Sequence, residues 1–177
     1  MTTLHGDGAG GFAVAYNYRL LDLQYSDGPE DVAVGDFNGD GLPDLAVGLA
    51  YSTEIYLNSG SGFNKVGDVP HGLSRSITIA DLNGDGKLDI ARAMTASGIN
   101  ASVFIALGDG AGGLVQPRNI VTGFTANAIV SGDFDANGKA DLAVTDSSTG
   151  NVYVLLNACG INRKRWRGVA GRLLPSV

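Results

Sequence analysis

A short acidic pattern, D-x-[DN]-x-[DN]-G-x-x-D, occurs three times in this chain and runs each time straight into an apolar stretch: GDFNGDGLPDLAVG, ADLNGDGKLDIA and GDFDANGKADLA. Its residues are Asp36, Asn38, Asp40 and Asp44, then Asp81, Asn83, Asp85 and Asp89, then Asp133, Asp135, Asn137 and Asp141. The first aspartates lie 45 residues apart (36 to 81) and then 52 (81 to 133). A glycine turn recurs between them as HGDGAGGF, LNSGSGF, LGDGAGGL and a degenerate LNACG, with Gly8, Gly60, Gly110 and Gly160 spaced 52, 50 and 50 residues. Two markers sharing one period of about 50 residues define a repeat architecture, in which one supersecondary unit stacks on the next.

Each unit reads as short strands. DVAVGDF precedes the first acidic loop, DLAVG follows it, EIYLN comes next, and a further strand starts at Phe63 beyond the glycine turn. The later units supply SITIADL, LDIARAM and ASVFIALG, then AIVSGDF, DLAVTD and NVYVLLN. Apolar and β-branched runs bounded by Gly, Asn, Asp and Ser are strand signals, and no segment holds a 3.6-residue period between two caps. Four antiparallel strands in a unit of about 50 residues make a β-propeller blade. The expected fold is all-β, with about three four-stranded antiparallel blades plus a partial N-terminal one across residues 1–160. That is an incomplete ring, since propellers typically have about four to eight blades.

The ragged ends carry expectations of their own. FAVAYNYRL, residues 12–20, reads as an outermost strand with no first three before it, and the last blade stops after its third strand at Asn157. Residues 161–177 break composition and period and read as a basic, disordered tail. Three explanations stand: an excerpt of a longer propeller, an open stack, or a ring completed by self-assembly. In the last, FAVAYNYRL fills another copy's open blade by strand addition.

The acidic loop has a specific chemistry. Side chains at positions 1, 3, 5 and 9 converge on one point only if the backbone curls, and Gly41, Gly86 and Gly138 at position 6 permit the bend. The backbone carbonyls of Leu42, Lys87 and Lys139 at position 7 are then further oxygen donors. Each loop carries three carboxylates and one Asn, so its side chains hold −3 against a +2 ion. Oxygen-only ligation on a flexible loop suits Ca²⁺ better than Zn²⁺ or Mg²⁺, and up to three ions are expected. An EF-hand shares the opening pattern but needs a Glu at position 12, where this chain has Val47, Arg92 and Val144. A metal-free Asx-turn loop is the other alternative. Phe37, Leu82 and Phe134, together with Leu45, Ile90 and Leu142, read as the packing residues that anchor each loop.

VAVGDFNGDGLPDLAVG with the following LNSGSGF resembles the FG-GAP, or VCBS-type, repeats of integrin-α-like propellers, and the resemblance extends over most of residues 4–157. It implies a calcium-bearing extracellular or cell-surface propeller. It does not assign a ligand, because such repeats serve in adhesins, in lectin-like modules and as accessory parts of secreted enzymes.

Charge and composition narrow the function. Residues 1–160 hold all 18 acids and seven basic groups, a balance of −11; Arg163, Lys164, Arg165, Arg167 and Arg172 restore the chain's −6. An acidic body repels nucleic acid phosphates. No run approaches 18 apolar residues, so no membrane span is expected. Cys159 is alone, which excludes a disulfide framework, and MTTLHGDGAGG shows no signal peptide. No catalytic constellation is visible: His5 and His71 lack a paired nucleophile, no G-x-S-x-G elbow is present, and GDGAGG lacks the Lys-Ser/Thr of a phosphate loop. The expected function is therefore a non-catalytic, calcium-stabilised binding module for adhesion or carbohydrate recognition. The alternatives are an accessory segment of a larger secreted enzyme, or a truncated propeller without independent function. In a meander the cation loops and glycine turns share one end, which leaves the ligand to the other. That end is formed by residues 51–54, 95–101 and 146–151 and the links 26–30, 69–76 and 123–127, with Tyr51 and Phe124 as its aromatics.

Overall fold

A computed structural model describes residues 2–17, 28–95, 102–157 and 166–171. Their regular structure is entirely β. Strands β1 (Thr2–Gly6) and β2 (Phe12–Asn17) form an N-terminal hairpin, and twelve more strands form three four-stranded antiparallel sheets. The first blade is β3 (Pro29–Gly35), β4 (Asp44–Leu49), β5 (Ser52–Asn58) and β6 (Phe63–Pro70). The second is β7 (Ser74–Ala80), β8 (Asp89–Met94), β9 (Ser102–Gly108) and β10 (Leu114–Val121). The third is β11 (Ala126–Gly132), β12 (Asp141–Asp146), β13 (Asn151–Asn157) and β14 (Trp166–Gly171). Each sheet runs in sequence order, the meander expected of a propeller blade.

Blades stack face to face, which explains why their second strands read as continuous apolar runs. Every residue of β8 is buried, because β8 is flanked by strands on both edges and by blades on both faces. One apolar cluster joins Phe37, Ala46 and Ile55 of the first blade to Ile77, Ile90 and Phe104 of the second. Another joins Leu82, Ala91 and Ile105 of the second to Ile129, Leu142 and Val144 of the third. The first strands lie side by side and bond through polar atoms. Asp31 Oδ2 accepts the Ile77 N–H at 2.9 Å, and Ser131 Oγ donates to the Ile79 carbonyl at 3.1 Å.

Arg92 is fully buried at the junction of the first two blades. Its Nη1 donates to the carbonyls of Leu49 and Ser52, both at 3.0 Å, and lies 3.2 Å from Thr53 Oγ1 and from His71 Nε2. Because a guanidinium only donates, His71 Nε2 is the acceptor and the ring proton sits on Nδ1, which donates to the Gly72 carbonyl at 2.7 Å. Burial, with the Arg92 charge adding to it, holds the His71 imidazole down at about 4, so it is neutral at neutral pH. Burial likewise lowers Arg92 to about 10, against the pull of Asp31 and Glu30, and it stays charged.

The structure corrects the expectations about both ends. FAVAYNYRL is not a lone outermost strand: β1 precedes β2 and pairs with it from Gly6↔Phe12 to Thr2↔Asn17, while residues 18–20 lie outside the described residues. The third blade does not stop at Asn157. Residues 166–171, expected within a disordered tail, form β14, which pairs with β13 from Asn157↔Trp166 to Val152↔Gly171. An open β13 edge would leave a row of N–H and C=O groups unpaired, and β14 satisfies them. The fourth place of that blade is therefore filled within the chain, which removes the opening that strand addition by FAVAYNYRL required. The degenerate turn at Gly160 lies outside the described residues.

Candidate metal centre

Each acidic loop is the hairpin connection between the first and second strands of its blade. The residue before position 1 pairs with the Asp at position 9: Gly35↔Asp44, Ala80↔Asp89 and Gly132↔Asp141. All three loops consequently lie at the same end of their blades as the glycine turns at 59–62 and 109–113.

The position 1 carboxylate organises the curl. Asp36 Oδ1 accepts the N–H groups of Gly39 (2.7 Å) and Asp40 (3.1 Å), and its Oδ2 accepts that of Gly41 (2.8 Å). Asp81 repeats this with Gly84, Asp85 and Gly86 at 2.7, 3.1 and 2.8 Å. The Gly41 N–H, helped by other loop amides, holds Asp36 below the usual carboxylate range. Gly41, Gly86 and Gly138 have φ of 83°, 81° and 82°, as the bend at position 6 requires.

Position 9 has a role that the sequence pattern did not reveal. Asp44, Asp89 and Asp141 are completely buried, and both oxygens of each are bonded to backbone. One accepts the N–H of position 2: Phe37 at 2.8 Å, Leu82 at 2.9 Å, Phe134 at 2.9 Å. The other accepts the N–H of the last residue of the third strand: Asn58 at 2.8 Å, Gly108 at 2.9 Å, Asn157 at 2.6 Å. Position 9 is thus a clasp between the acidic loop and the third strand, repeated in all three blades. Burial raises Asp89, against its two backbone donors.

Positions 3 and 5 distinguish the loops. In the first two, the Asn side chain at position 3 donates to the Asp at position 5, Asn38 Nδ2 to Asp40 Oδ2 at 2.8 Å and Asn83 Nδ2 to Asp85 Oδ2 at 3.0 Å. The Asn83 bond lowers Asp85 below its ordinary range. The third loop exchanges the two residue types, and there Asp133, Asp135 and Asp141 each bring one carboxylate oxygen within 4.8 Å of the others. Two oxygens on opposite sides of one Ca²⁺, each about 2.4 Å from it, are about 4.8 Å apart, so this donor set fits one calcium coordination sphere. The position 12 residues Val47, Arg92 and Val144 lie in strands, in keeping with the exclusion of an EF-hand.

The third loop also carries a backbone cost. Position 4 is Gly39 (φ 76°) and Gly84 (φ 81°) in the first two loops but Ala136 (φ 56°) in the third. A left-handed alanine is disfavoured by about 1 kcal/mol relative to glycine. Ala136→Gly is expected to stabilise the chain by up to about 1 kcal/mol, measured as a shift in urea midpoint at constant m-value. An unchanged or lower midpoint would refute strain at this residue.

At the opposite end, Tyr51 is exposed in the β4–β5 turn, whereas Phe124 stacks on Tyr153 with centroids 4.0 Å apart and planes 7° from parallel. Phe124 is therefore engaged within the third blade. Residues 26–27 and 96–101 of that end lie outside the described residues.

With this geometry in place, comparison with known proteins agrees with the resemblance. Residues 36–91 match the FG-GAP-like repeat family. Over 129 residues, 63% of this chain, the sequence is 32% identical to integrin alpha-7 of Homo sapiens, and the match spans 11% of that protein's length.

Proposed function

We propose that this FG-GAP-repeat chain is a calcium-stabilised, non-catalytic binding module of the adhesion type, acting outside the cell or at its surface. The observation that carries the reading is the convergence of Asp133, Asp135 and Asp141 within the span of one calcium coordination sphere, on a loop pattern that occurs three times. In the third loop Asp133, Asp135, Asn137 and Asp141 would hold the ion, with the Lys139 carbonyl as a further oxygen. The equivalent sets are Asp36, Asn38, Asp40, Asp44 and Leu42, and Asp81, Asn83, Asp85, Asp89 and Lys87. In those two loops a bound ion would replace the Asn–Asp hydrogen bond as the link between positions 3 and 5. When bound, calcium neutralises carboxylates that otherwise repel one another across a tight turn.

The function of the ions is structural. Extracellular calcium modules bind at about 10⁻⁴ to 10⁻³ M, and at roughly ten-fold excess each site adds about 1.4 kcal/mol of stability. The ligand surface is assigned to the end opposite the loops, where a rigid scaffold presents short connections. A protein ligand is favoured over a carbohydrate. Relatedness to an integrin supports it, and Phe124 is half-buried and stacked on Tyr153, leaving Tyr51 as the exposed aromatic among the described residues of those connections.

The test is thermal unfolding of the chain in excess EDTA, in a few millimolar Ca²⁺ and in the same concentration of Mg²⁺. A midpoint raised by Ca²⁺ and much less by Mg²⁺ is expected. A cooperative transition that calcium leaves in place would reduce the loops to Asx turns and end the calcium reading.

A further inference from the structure

The link between the first two blades, residues 71–73, is pinned at the end opposite the acidic loops. The His71 N–H donates to the Tyr51 carbonyl at 2.8 Å and the Ser74 N–H to the Ala50 carbonyl at 3.0 Å, which ties the link to the β4–β5 turn of the first blade. The Leu73 carbonyl accepts the Thr95 N–H at 2.9 Å, just beyond β8 of the second blade. Between these anchors the His71 ring turns inward, its centroid 5.0 Å from that of buried Phe104. One side chain thus touches both blades.

Its contacts fix its protonation state. Nε2 lies 3.1 Å from Thr53 Oγ1 and 3.2 Å from Arg92 Nη1, while Nδ1 donates its proton to the Gly72 carbonyl. A second ring proton has to go on Nε2, beside a guanidinium that has no lone pair to accept it. Thr53 can accept from it, yet two positive groups then stand 3.2 Å apart with one of them wholly buried. No carboxylate offsets the added charge. Glu54 of β5 is turned to Tyr56 and Lys65, Asp31 of β3 accepts the Ile77 N–H, and Glu30 beside it acts on Arg92. Among the described residues none of these acids forms an ion pair with His71. Ser52, Thr53, Gly72 and Phe104 bring no charge, so the charge that the ring meets is that of Arg92, of the same sign as its own would be.

We propose that His71 is an acid-operated latch: while neutral it joins the first blade to the second, and once protonated it leaves the Arg92 cluster and frees the 71–73 link together with the Tyr51 turn. The latch does not depend on what that end of the blades binds. His71 titrates at about 4 in the fold, against 6.5 for an ordinary histidine, so below pH 6.5 the unfolded chain takes up the proton more readily. The stability tied to His71 is intact at pH 7, falls as the pH drops below 6.5, and is fully lost below 4. At pH 5 this group raises the unfolding constant about 20-fold over its value at pH 7.

The experiment is urea denaturation in calcium at pH 7 and pH 5, for the parent and for His71→Gln, which keeps an acceptor oxygen and does not titrate. The parent's rise in unfolding constant between the two pH values is expected to exceed the variant's by about 20-fold, since carboxylate titrations common to both cancel. Hydrogen exchange at the same two pH values reads the link itself. The Ser74 and Thr95 amides are expected to lose protection at pH 5 in the parent and to keep it in the variant. Should His71→Gln fail to fold, the imidazole C–H resonances of the parent test the same point, with His5→Gln assigning the His71 signal. Its midpoint is expected well below that of an ordinary histidine, about 6.5. Parallel pH dependence in parent and variant, unchanged protection at the two amides, or an ordinary His71 midpoint would each overturn the proposal.

Discussion

Asp89→Ala lowers the unfolding free energy by about 2–6 kcal/mol, and does so in EDTA as well as in calcium. Asp89 is wholly buried, and its two oxygens accept the Leu82 and Gly108 N–H groups at 2.9 Å each. Alanine leaves both donors without an acceptor, at about 1–3 kcal/mol each. The second blade is sandwiched between the other two, so its loop cannot swing out to solvate them without disturbing both interfaces. Asp85→Ala is the contrast, because Asp85 is exposed and contributes to the proposed calcium site rather than to the clasp. Its cost is expected to appear with calcium present and to shrink in EDTA. Asp89→Asn should fall between parent and alanine, since an amide keeps one acceptor oxygen. Urea denaturation of the three variants with and without calcium separates the two roles. Equal midpoints for the parent and Asp89→Ala in EDTA would mean that the clasp contributes nothing.

The second large effect is at Arg92. Arg92→Ala removes a buried side chain and the donors to the Leu49 and Ser52 carbonyls and to Thr53, for an expected loss of about 3–5 kcal/mol. Its packing partner makes the prediction sharper. A Cβ added to Gly48 would lie 2.7 Å from both Nη atoms, so Gly48→Ala is expected to cost about 1–3 kcal/mol in the parent. In the Arg92→Ala background the same methyl enters the space vacated by the guanidinium, and its cost should vanish or reverse. That non-additivity is read from a double-mutant cycle by urea denaturation. Additive effects would show that the guanidinium does not hold the position against Gly48. The sequence pattern offered no sign of this contact, since Arg92 was notable only for occupying the place of an EF-hand ligand.

The contrast between the loops and Arg92 marks the boundary of what could be read. The period, the all-β meander and the convergence of acidic residues on one end of each blade are local properties: short apolar runs, a turn at a glycine of positive φ, and a fixed spacing between carboxylates. Glycine at position 6 and the D-x-[DN]-x-[DN]-G-x-x-D order dictate the curl whatever surrounds it, so Asp36, Asp81 and Asp133 could be placed from the chain alone. The fourth strand of the third blade escaped notice because its segment is rich in arginine and glycine, while the demand that creates the strand comes from the β13 edge. Phe124 read as a candidate ligand aromatic because its partner, Tyr153, is 29 residues away in sequence (124 to 153).

By itself, then, the sequence determined the repeat, the blade, and the acidic side chains gathered in each nine-residue loop, because backbone propensity and hydrogen bonding within such a loop act over short range. Only the tertiary structure decided which carboxylates are clasps, which cation is buried between blades, and which apolar faces remain uncovered. Burial is a property of neighbours: Phe37, Leu82 and Phe134 occupy one position of one motif, and the blade that follows the first two, and is lacking beyond the third among the described residues, makes them core or surface.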